Sequence, residues 1–198
     1  MTPAEIRALL SQPWKHGEAV DLAGVTVEGV LDLTGLALCG VDFRGAVFKG
    51  GLIAPGARFD GLSWFHDARV EGPLDLSGAL FANDARFDAA HFDATTLKGA
   101  EFRGTATFRG CHFGGAADLR DLTCYGNLDL AETRFAAGLS LKGSEFLGGL
   151  WAQGAAFPAE ADFAETQVHG RLWLRGARQG NAPVDDDAFG LSFGYTYR

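Results

Sequence analysis

A large apolar residue returns every five or six positions along most of the chain. An amphipathic helix would repeat every three to four residues and a strand every two, so this spacing predicts short extended pieces separated by corners. A fixed short period indicates a solenoid, in which each turn packs only against its neighbours. The residues of the series are Leu22, Val27, Leu33, Leu38, Phe43, Phe48, Ala54, Phe59, Phe65, Val70, Leu76, Phe81, Phe87, Phe92, Leu97, Phe102, Phe108, Phe113, Leu119, Cys124, Leu130, Phe135, Leu141, Phe146, Ala152, Phe157, Phe163, Val168 and Leu174.

The residues beside each large apolar position predict which side chains point inward. The second residue before it is usually small, as Ala85 is before Phe87, and its direct neighbours are polar, as in Glu101-Phe102-Arg103. We therefore expect small and large apolar side chains inside and charged ones outside. Glycine often follows two places after the large residue, where corners favour a residue of wide conformational freedom. These glycines are Gly35, Gly45, Gly50, Gly61, Gly78, Gly99, Gly104, Gly110, Gly143 and Gly176.

These units resemble the pentapeptide repeat family, whose repeat is roughly Ala-(Asp/Asn)-(Leu/Phe)-x-x. The resemblance covers about residues 20–179, with nearly thirty units in register. It implies an all-β fold, a right-handed quadrilateral parallel β-helix with four units per coil and ladders of Leu and Phe inside.

The sequence departs from the simple family pattern, because many steps are six residues long. A phrase Gly-x-Leu-x-(Leu/Ala)-x-Gly marks several of these steps, as from Gly29 to Gly35 and from Gly170 to Gly176. Leu then stands where the small residue is usual. We expect a slightly wide coil of about 21–22 residues and a rod of about seven or eight coils, roughly 35 Å long.

Both ends of the chain break the period. Residues 1–19 form a predicted N-terminal cap: Thr2 and Glu5 have the spacing of a capping box, with Pro3 at the first helical position. We expect a short helix from Pro3 to about Ser11 that covers the open first coil. Residues 20–179 form the β-helix, and residues 180–198 form a non-repeating, aromatic-rich C-terminal tail.

Charge and cysteine content exclude some classes of protein. The net charge is −8 and no basic patch is evident, which argues against direct nucleic-acid binding. Cys39, Cys111 and Cys124 lack the spacing of a disulfide framework or a zinc site. No apolar run could span a membrane, and no secretory signal pattern begins the chain. We therefore expect a cytoplasmic protein with no membrane partner.

Tryptophan is the clearest surface feature. The residue before the large apolar position, taken once per coil on one side of the rod, gives Asp42, Trp64, Arg86, Thr107, Asp129, Trp151 and Trp173. Outward aromatic side chains favour interfaces. We predict that Trp64, Arg86, Asp129, Trp151 and Trp173 form an interaction face for an unidentified protein or a second copy of the chain.

Two alternatives to this interaction face remain open. The C-terminal aromatic residues could fold back over Trp151 and Trp173. The register could also be shifted, above all at Trp64-Phe65, where either residue could point inward.

Catalytic and cofactor sites find no support in the sequence. The histidines are scattered over different coils, and Cys111 and His112 are adjacent, so their side chains point to opposite sides of an extended segment. The run Asp185-Asp186-Asp187 could bind a cation, but such a run in a tail is usually just solvated. We therefore predict no catalytic residues, no cofactor and no metal.

The leading functional prediction is a non-enzymatic rod that acts as a protein-interaction or scaffold module. The family resemblance implies a rival, because some pentapeptide repeat proteins imitate B-form DNA and bind DNA gyrase or topoisomerase IV, which protects against quinolones or peptide toxins. Interspersed arginine and lysine on the repeat faces, and the absence of an obvious dimerising C-terminal helix, weaken that rival here.

Overall fold

The chain forms a β-solenoid of about eight turns with four parallel sheets and a short N-terminal helix. The computed structural model describes residues 1–198. Each of the first six turns contributes one short strand to each of four faces, which we number in the order the chain meets them. This architecture confirms the solenoid that the five- to six-residue period predicted and the quadrilateral parallel β-helix that the family resemblance implied.

The strands are mostly two residues long, and strands of one face pair across successive layers. The first face contains Ala19–Asp21, Gly40–Asp42, Ser63–Trp64, Ala85–Arg86, Ala106–Thr107, Asn127–Asp129, Gly149–Trp151, Arg171–Trp173 and Thr196–Tyr197. The second face contains Thr26–Val27, Val47–Phe48, Arg69–Val70, His91–Phe92, His112–Phe113, Arg134–Phe135, Ala156–Phe157, Arg178–Gln179 and Ala182–Pro183. The third face contains Leu31–Asp32, Leu52–Ile53, Leu74–Asp75, Thr95–Thr96, Ala117–Asp118 and Leu139–Ser140. The fourth face contains Ala37–Leu38, Arg58–Phe59, Leu80–Phe81, Glu101–Phe102, Thr123–Cys124, Glu145–Phe146, Gln167–Val168 and Leu191–Ser192.

The core is a column of stacked apolar side chains. Every residue of the large apolar series from Leu22 to Leu174 is buried. On the fourth face, Phe81 stacks on Phe59 with ring centroids 4.4 Å apart and on Phe102 with centroids 4.6 Å apart. Stacking of this kind adds roughly 0.5–1.5 kcal/mol per aromatic pair beyond the area that is buried.

Buried leucines explain why the coil is wider than a simple pentapeptide unit requires. On the third face, Leu31, Leu52 and Leu74 occupy neighbouring layers in register and are fully or almost fully buried. Leu128, Leu150 and Leu172 do the same on the first face. A larger inward side chain at these positions fills the space that the six-residue steps create.

The N-terminal helix Pro3–Leu10 begins with the predicted capping box, in which Thr2 accepts from the Glu5 N–H and the Glu5 carboxylate accepts from the Thr2 N–H. Ile6 and Leu10 are fully buried against the first coil. The helix therefore covers apolar side chains that a solenoid end would leave in water. No helix in the chain is both long and apolar enough to cross a membrane.

The C-terminal segment continues the solenoid. Ala182–Pro183 pairs antiparallel with Arg178–Gln179, and a 3-10 helix follows at Asp186–Ala188. Leu191–Ser192 then joins the fourth face, and Thr196–Tyr197 joins the first face. The residues expected as a tail thus supply a final, partial coil.

Candidate interaction face

The outward residues of the first face lie in one column, in the order the coil spacing predicts. Trp64 pairs in register with Asp42 and Arg86, and Trp151 pairs with Asp129 and Trp173. Phe65 is buried and Trp64 is half-buried with its side chain outward, which settles the register at that position.

The structure brings together only part of the predicted face. Arg86, Thr107 and Asp129 occupy the three layers between Trp64 and Trp151. At about 4.8 Å per layer, the two tryptophans are roughly 19 Å apart along the rod. The column therefore has an N-terminal part around Trp64 and a separate C-terminal part around Trp151 and Trp173.

The C-terminal part is a ladder of three aromatic side chains: Trp151, Trp173 and Tyr197. The Trp151 and Trp173 ring centroids are 6.3 Å apart, and those of Trp173 and Tyr197 are 4.6 Å apart and nearly parallel. Trp151 remains 38% exposed and Tyr197 39% exposed, whereas Trp173 is half-buried between them. The C-terminal segment therefore extends the ladder by one layer and leaves Trp151 open to solvent.

A small cleft of about 100 Å³ lies beside this ladder, lined by Arg109, Asp129, Ala131, Trp151, Gln153 and Trp173. Burial raises the pKa of Asp129, against the opposing effects of the Ala131 N–H, which donates to Asp129 Oδ1 at 2.8 Å, and of the Arg109 charge. Sites for drug-sized molecules usually measure roughly 300–1,000 Å³. The cleft is thus suited to receive one side chain of a partner.

In the N-terminal part of the column, an ion pair between Arg44 and Asp42 lies beside Trp64. The Arg44 side chain donates to Asp42 Oδ1 and Oδ2 at 2.5–2.9 Å, and its guanidinium carbon lies 5.4 Å from the Trp64 ring centroid. The hydrogen bond from Arg44 holds the pKa of Asp42 below its ordinary value, although burial opposes this. Guanidinium and indole together make a flat, rigid surface.

The middle of the column is polar: Arg86 is exposed, whereas Thr107 and the side chains beside the column are paired internally. Asp88 accepts a hydrogen bond from Thr107 Oγ1 at 2.9 Å and lies 3.2 Å from His66 Nε2. Arg109 Nη2 lies 3.3 Å from Glu132 Oε1. These contacts satisfy side chains within the protein, so the middle layers separate the two aromatic parts of the face.

The adjacent pair Cys111 and His112 points in opposite directions. Cys111 is buried and its thiol donates to the Phe87 carbonyl, whereas His112 is exposed. Burial raises the pKa of the Cys111 thiol well above its ordinary value. A buried neutral thiol facing away from the imidazole is unsuited to nucleophilic catalysis.

The acidic run near the C-terminus has a local structural role. Asp185 caps the 3-10 helix by accepting from the Asp187 N–H at 3.1 Å, and Arg198 pairs with Asp186. The three carboxylates can approach within 4.8 Å of one another. These contacts tie the last residue of the chain to the final coil.

Sequence reasoning missed one juxtaposition outside the first face. His91 and His112 occupy equivalent positions in adjacent strands of the second face. The two histidines are 21 residues, or one coil, apart in the sequence. The same spacing that aligned the tryptophans would therefore have aligned this pair.

Comparison with known sequences agrees with the geometry. The sequence model described as pentapeptide repeats (9 copies) matches residues 54–101 and 90–134. Residues 54–134 of the chain therefore match the pentapeptide repeat family. Comparison with curated protein sequences found no match.

Among solved structures, the chain is similar to two trypsin-treated variants of QnrB1, described as a plasmid-mediated fluoroquinolone resistance protein. One is 17% identical with a TM-score of 0.45, and the other is 18% identical with a TM-score of 0.43. Each comparison covers 90% of this chain and 90% of the matched chain.

Proposed function

We propose that the protein is a non-enzymatic β-helical rod that binds another protein through its first face. The observation that carries this proposal is the aromatic ladder of Trp151, Trp173 and Tyr197, in which Trp151 stays 38% exposed even though the C-terminal segment packs in the next layer. Exposed tryptophan and tyrosine are enriched at the energetic centres of protein interfaces.

The contact surface extends beyond the ladder. The cleft beside Trp151 offers Arg109 at one side and the carboxylate of Asp129 within it. Polar groups around an aromatic centre supply orientation and exclude water at an interface. At the far end of the column, Trp64 with Arg44 provides a second, separate contact.

The test compares three forms of the full chain: the unchanged protein, Trp151→Ala, and the matched control Tyr125→Ala. Tyr125 is 52% exposed and lies on a different side of the rod. The mass in solution is measured by light scattering, and any protein captured from a native extract is purified and titrated against all three forms. We expect Trp151→Ala to weaken binding by about tenfold or more, equivalent to about 1.4 kcal/mol, and Tyr125→Ala to leave it unchanged. Equal affinity and equal mass for all three would overturn the proposal.

A second candidate function is imitation of DNA toward DNA gyrase or topoisomerase IV. It is favoured by the net charge of −8 and by aspartates in alternate layers of the third face, where Asp32, Asp75, Asp118 and Asp162 follow one column. Arg120, however, pairs with Asp118 at 2.6 Å, and the intervening layers carry neutral residues. The negative face is therefore discontinuous, which makes the interaction rod the better-supported function.

A supercoiling assay separates the two functions. Under the DNA-imitation hypothesis, the purified chain inhibits gyrase, and Asp75→Asn weakens the inhibition while Trp151→Ala does not. If the protein is an interaction rod, gyrase activity is unaffected at concentrations of the chain that saturate its partner.

A further inference from the structure

The second face carries two exposed histidines in adjacent layers. His91 and His112 are Cα partners in neighbouring parallel strands, and their ring centroids are 5.9 Å apart. Both imidazoles project from the same face of the sheet, since residues in register across strands point the same way. The fold thus holds two nitrogen ligands side by side on rigid elements.

Two carboxylates line the same shallow groove, which is also bordered by Arg69. Asp93 follows His91 by two residues, and Glu71 occupies the equivalent position one layer earlier. At the next layer this position is Gly114, which has no side chain. A Cβ added to Gly114 would lie 3.9 Å from both Asp93 Oδ1 and His112 Nε2. The glycine therefore leaves a space that a carboxylate and an imidazole border together.

The histidines of this groove differ from others on the rod. His66 lies 3.2 Å from Asp88 Oδ2, and His169 lies 2.9 Å from Glu145 Oε1. His91 and His112 are exposed and form no such ion pair. Their ring nitrogens are available to a ligand from solvent.

We propose that this groove binds a divalent transition metal ion such as Zn²⁺, with His91 and His112 as nitrogen ligands and Asp93 as the carboxylate ligand. Zinc–nitrogen bonds of about 2.0–2.1 Å in tetrahedral geometry place two imidazole centres roughly 5.2 Å apart. Small side-chain rotations would bring the His91 and His112 ring centroids from their separation of 5.9 Å to that value. Imidazole ligands favour zinc, nickel and copper over magnesium and calcium.

The charges around the groove permit a cation. Arg69 and Arg134 occupy the flanking layers and repel it, while Glu71 and Asp93 offset two positive charges. With both imidazoles neutral, the local formal charge of these four groups is zero. Both arginines are exposed, so their long side chains can turn toward solvent.

The test is calorimetric titration of the untagged full chain with Zn²⁺ at about pH 7.5, where imidazole is ordinarily neutral. The double variant His91→Ala/His112→Ala removes the nitrogen ligands, and His16→Ala, an exposed histidine outside the groove, is the matched control. We expect the double variant to lose the binding event and His16→Ala to retain it. Any Zn²⁺ bound at another site, such as Asp185–Asp187, is also bound by the double variant. The heat measured with the double variant is therefore subtracted from the heat measured with the unchanged chain.

Two further variants test the ligand set while both imidazoles stay in place. Loss of even an outer-shell partner commonly weakens metal binding by about 10- to 100-fold, so Asp93→Asn should weaken it by at least about tenfold. Gly114→Lys places an ammonium group in the open space and should abolish binding. Circular dichroism confirms that each variant retains the fold, and Cu²⁺ electron paramagnetic resonance should show two nitrogen ligands.

Inorganic phosphate, titrated at the same pH, distinguishes a metal ion from an anion. An anion would be held by Arg69 and Arg134 in the flanking layers, whereas a metal ion needs the imidazole nitrogens of His91 and His112. Phosphate binding that the double variant loses, or Zn²⁺ binding equal in the unchanged chain and the double variant, would overturn the proposal.

Discussion

Tyr197 stacks on Trp173 with ring centroids 4.6 Å apart and an angle of 19° between the ring planes. The two residues are Cα partners in adjacent strands of the first face. The last residues of the chain are therefore held by the same cross-layer contacts as the interior coils, and they protect one side of Trp173.

We predict that Tyr197→Ala loosens the final coil. An aromatic pair of this kind contributes about 0.5–1.5 kcal/mol beyond the buried area, so the Tyr197→Ala protein should unfold its last coil at lower urea concentration. Because each solenoid turn depends only on its neighbours, the loss should stay local. Hydrogen exchange should show faster exchange near residues 191–197 and little change at the first coils.

Tyr195→Ala is the matched control for this change. Tyr195 is 80% exposed, so its removal should alter neither exchange nor tryptophan fluorescence measurably. If both variants behave alike, the stacking on Trp173 contributes nothing to the stability of the final coil.

A second prediction concerns the close approach of the backbone at Gly148. A Cβ added there would overlap the carbonyl carbon of Gly126 in the preceding layer. Gly148→Ala should therefore destabilise the chain by about 1–3 kcal/mol or more, because backbone layers must move apart. Gly138→Ala is the control, since a Cβ there meets nothing within 4 Å, and its effect should stay within about 0.5 kcal/mol. Urea unfolding of both variants measures the difference, and equal midpoints would contradict the prediction.

A third prediction concerns a left-handed corner occupied by an alanine. Ala89 has φ of 57°, whereas the equivalent corner residue of the next coil is Gly110, with φ of 67°. The left-handed conformation costs an L-residue roughly 1–2 kcal/mol, which outweighs the extra flexibility of an unfolded glycine. Ala89→Gly should therefore raise the thermal midpoint slightly. An unchanged or lowered midpoint in calorimetry would show that this corner carries little strain.

A fourth prediction compares Asp42 and Asp129, two carboxylates of the same column with opposite environments. The hydrogen bond from Arg44 lowers the pKa of Asp42, so its carboxylate stabilises the folded state at neutral pH. Burial raises the pKa of Asp129, so its carboxylate costs stability at neutral pH. Asp42→Asn should therefore destabilise the chain at pH 7, and Asp129→Asn should stabilise it.

The pH dependence of these two variants should also differ in sign. The stabilisation from Asp42 is present above its unfolded pKa and disappears as the pH falls through its lower folded pKa, so the deficit of Asp42→Asn shrinks in acid. The cost of Asp129 begins to shrink as the pH falls below its raised folded pKa and is gone below its unfolded pKa, so the gain of Asp129→Asn also shrinks in acid. Denaturant unfolding from about pH 7 to about pH 3 follows both trends. A destabilised Asp129→Asn at neutral pH would contradict the burial argument.

The interior coils could be predicted from the sequence because one rule repeats. The apolar period sets the corners, and a lag of 21 or 22 residues sets the register, which placed Trp64, Trp151 and Trp173 in one column. The final coil escaped prediction because a hairpin and a 3-10 helix lengthen the lag from Trp173 to Tyr197 to 24 residues. The sequence alone showed aromatic residues there but not the layer that they join.

The candidate site was less predictable than the fold for a physical reason. Column membership follows from the register, but exposure depends on what each neighbour covers, as Tyr197 covers Trp173 and leaves Trp151 open. The His91–His112 pair obeys the same register rule as the tryptophans. The sequence places these two histidines one coil apart, but only the structure shows that both are exposed and that neither forms an ion pair like those of His66 and His169.

The parallel pairing of short strands across layers also determines how the rod responds to force. The backbone hydrogen bonds between layers point along the rod. For example, the Leu130 N–H donates to the Trp151 carbonyl oxygen in the next coil at 2.6 Å. Pulling both ends of the rod apart loads the four faces in parallel, so many bonds must fail together. Pulling the C-terminal residue sideways loads the last strand alone and then each one in turn. The molecule should therefore be mechanically strong along its axis and peel coil by coil from its C-terminal end.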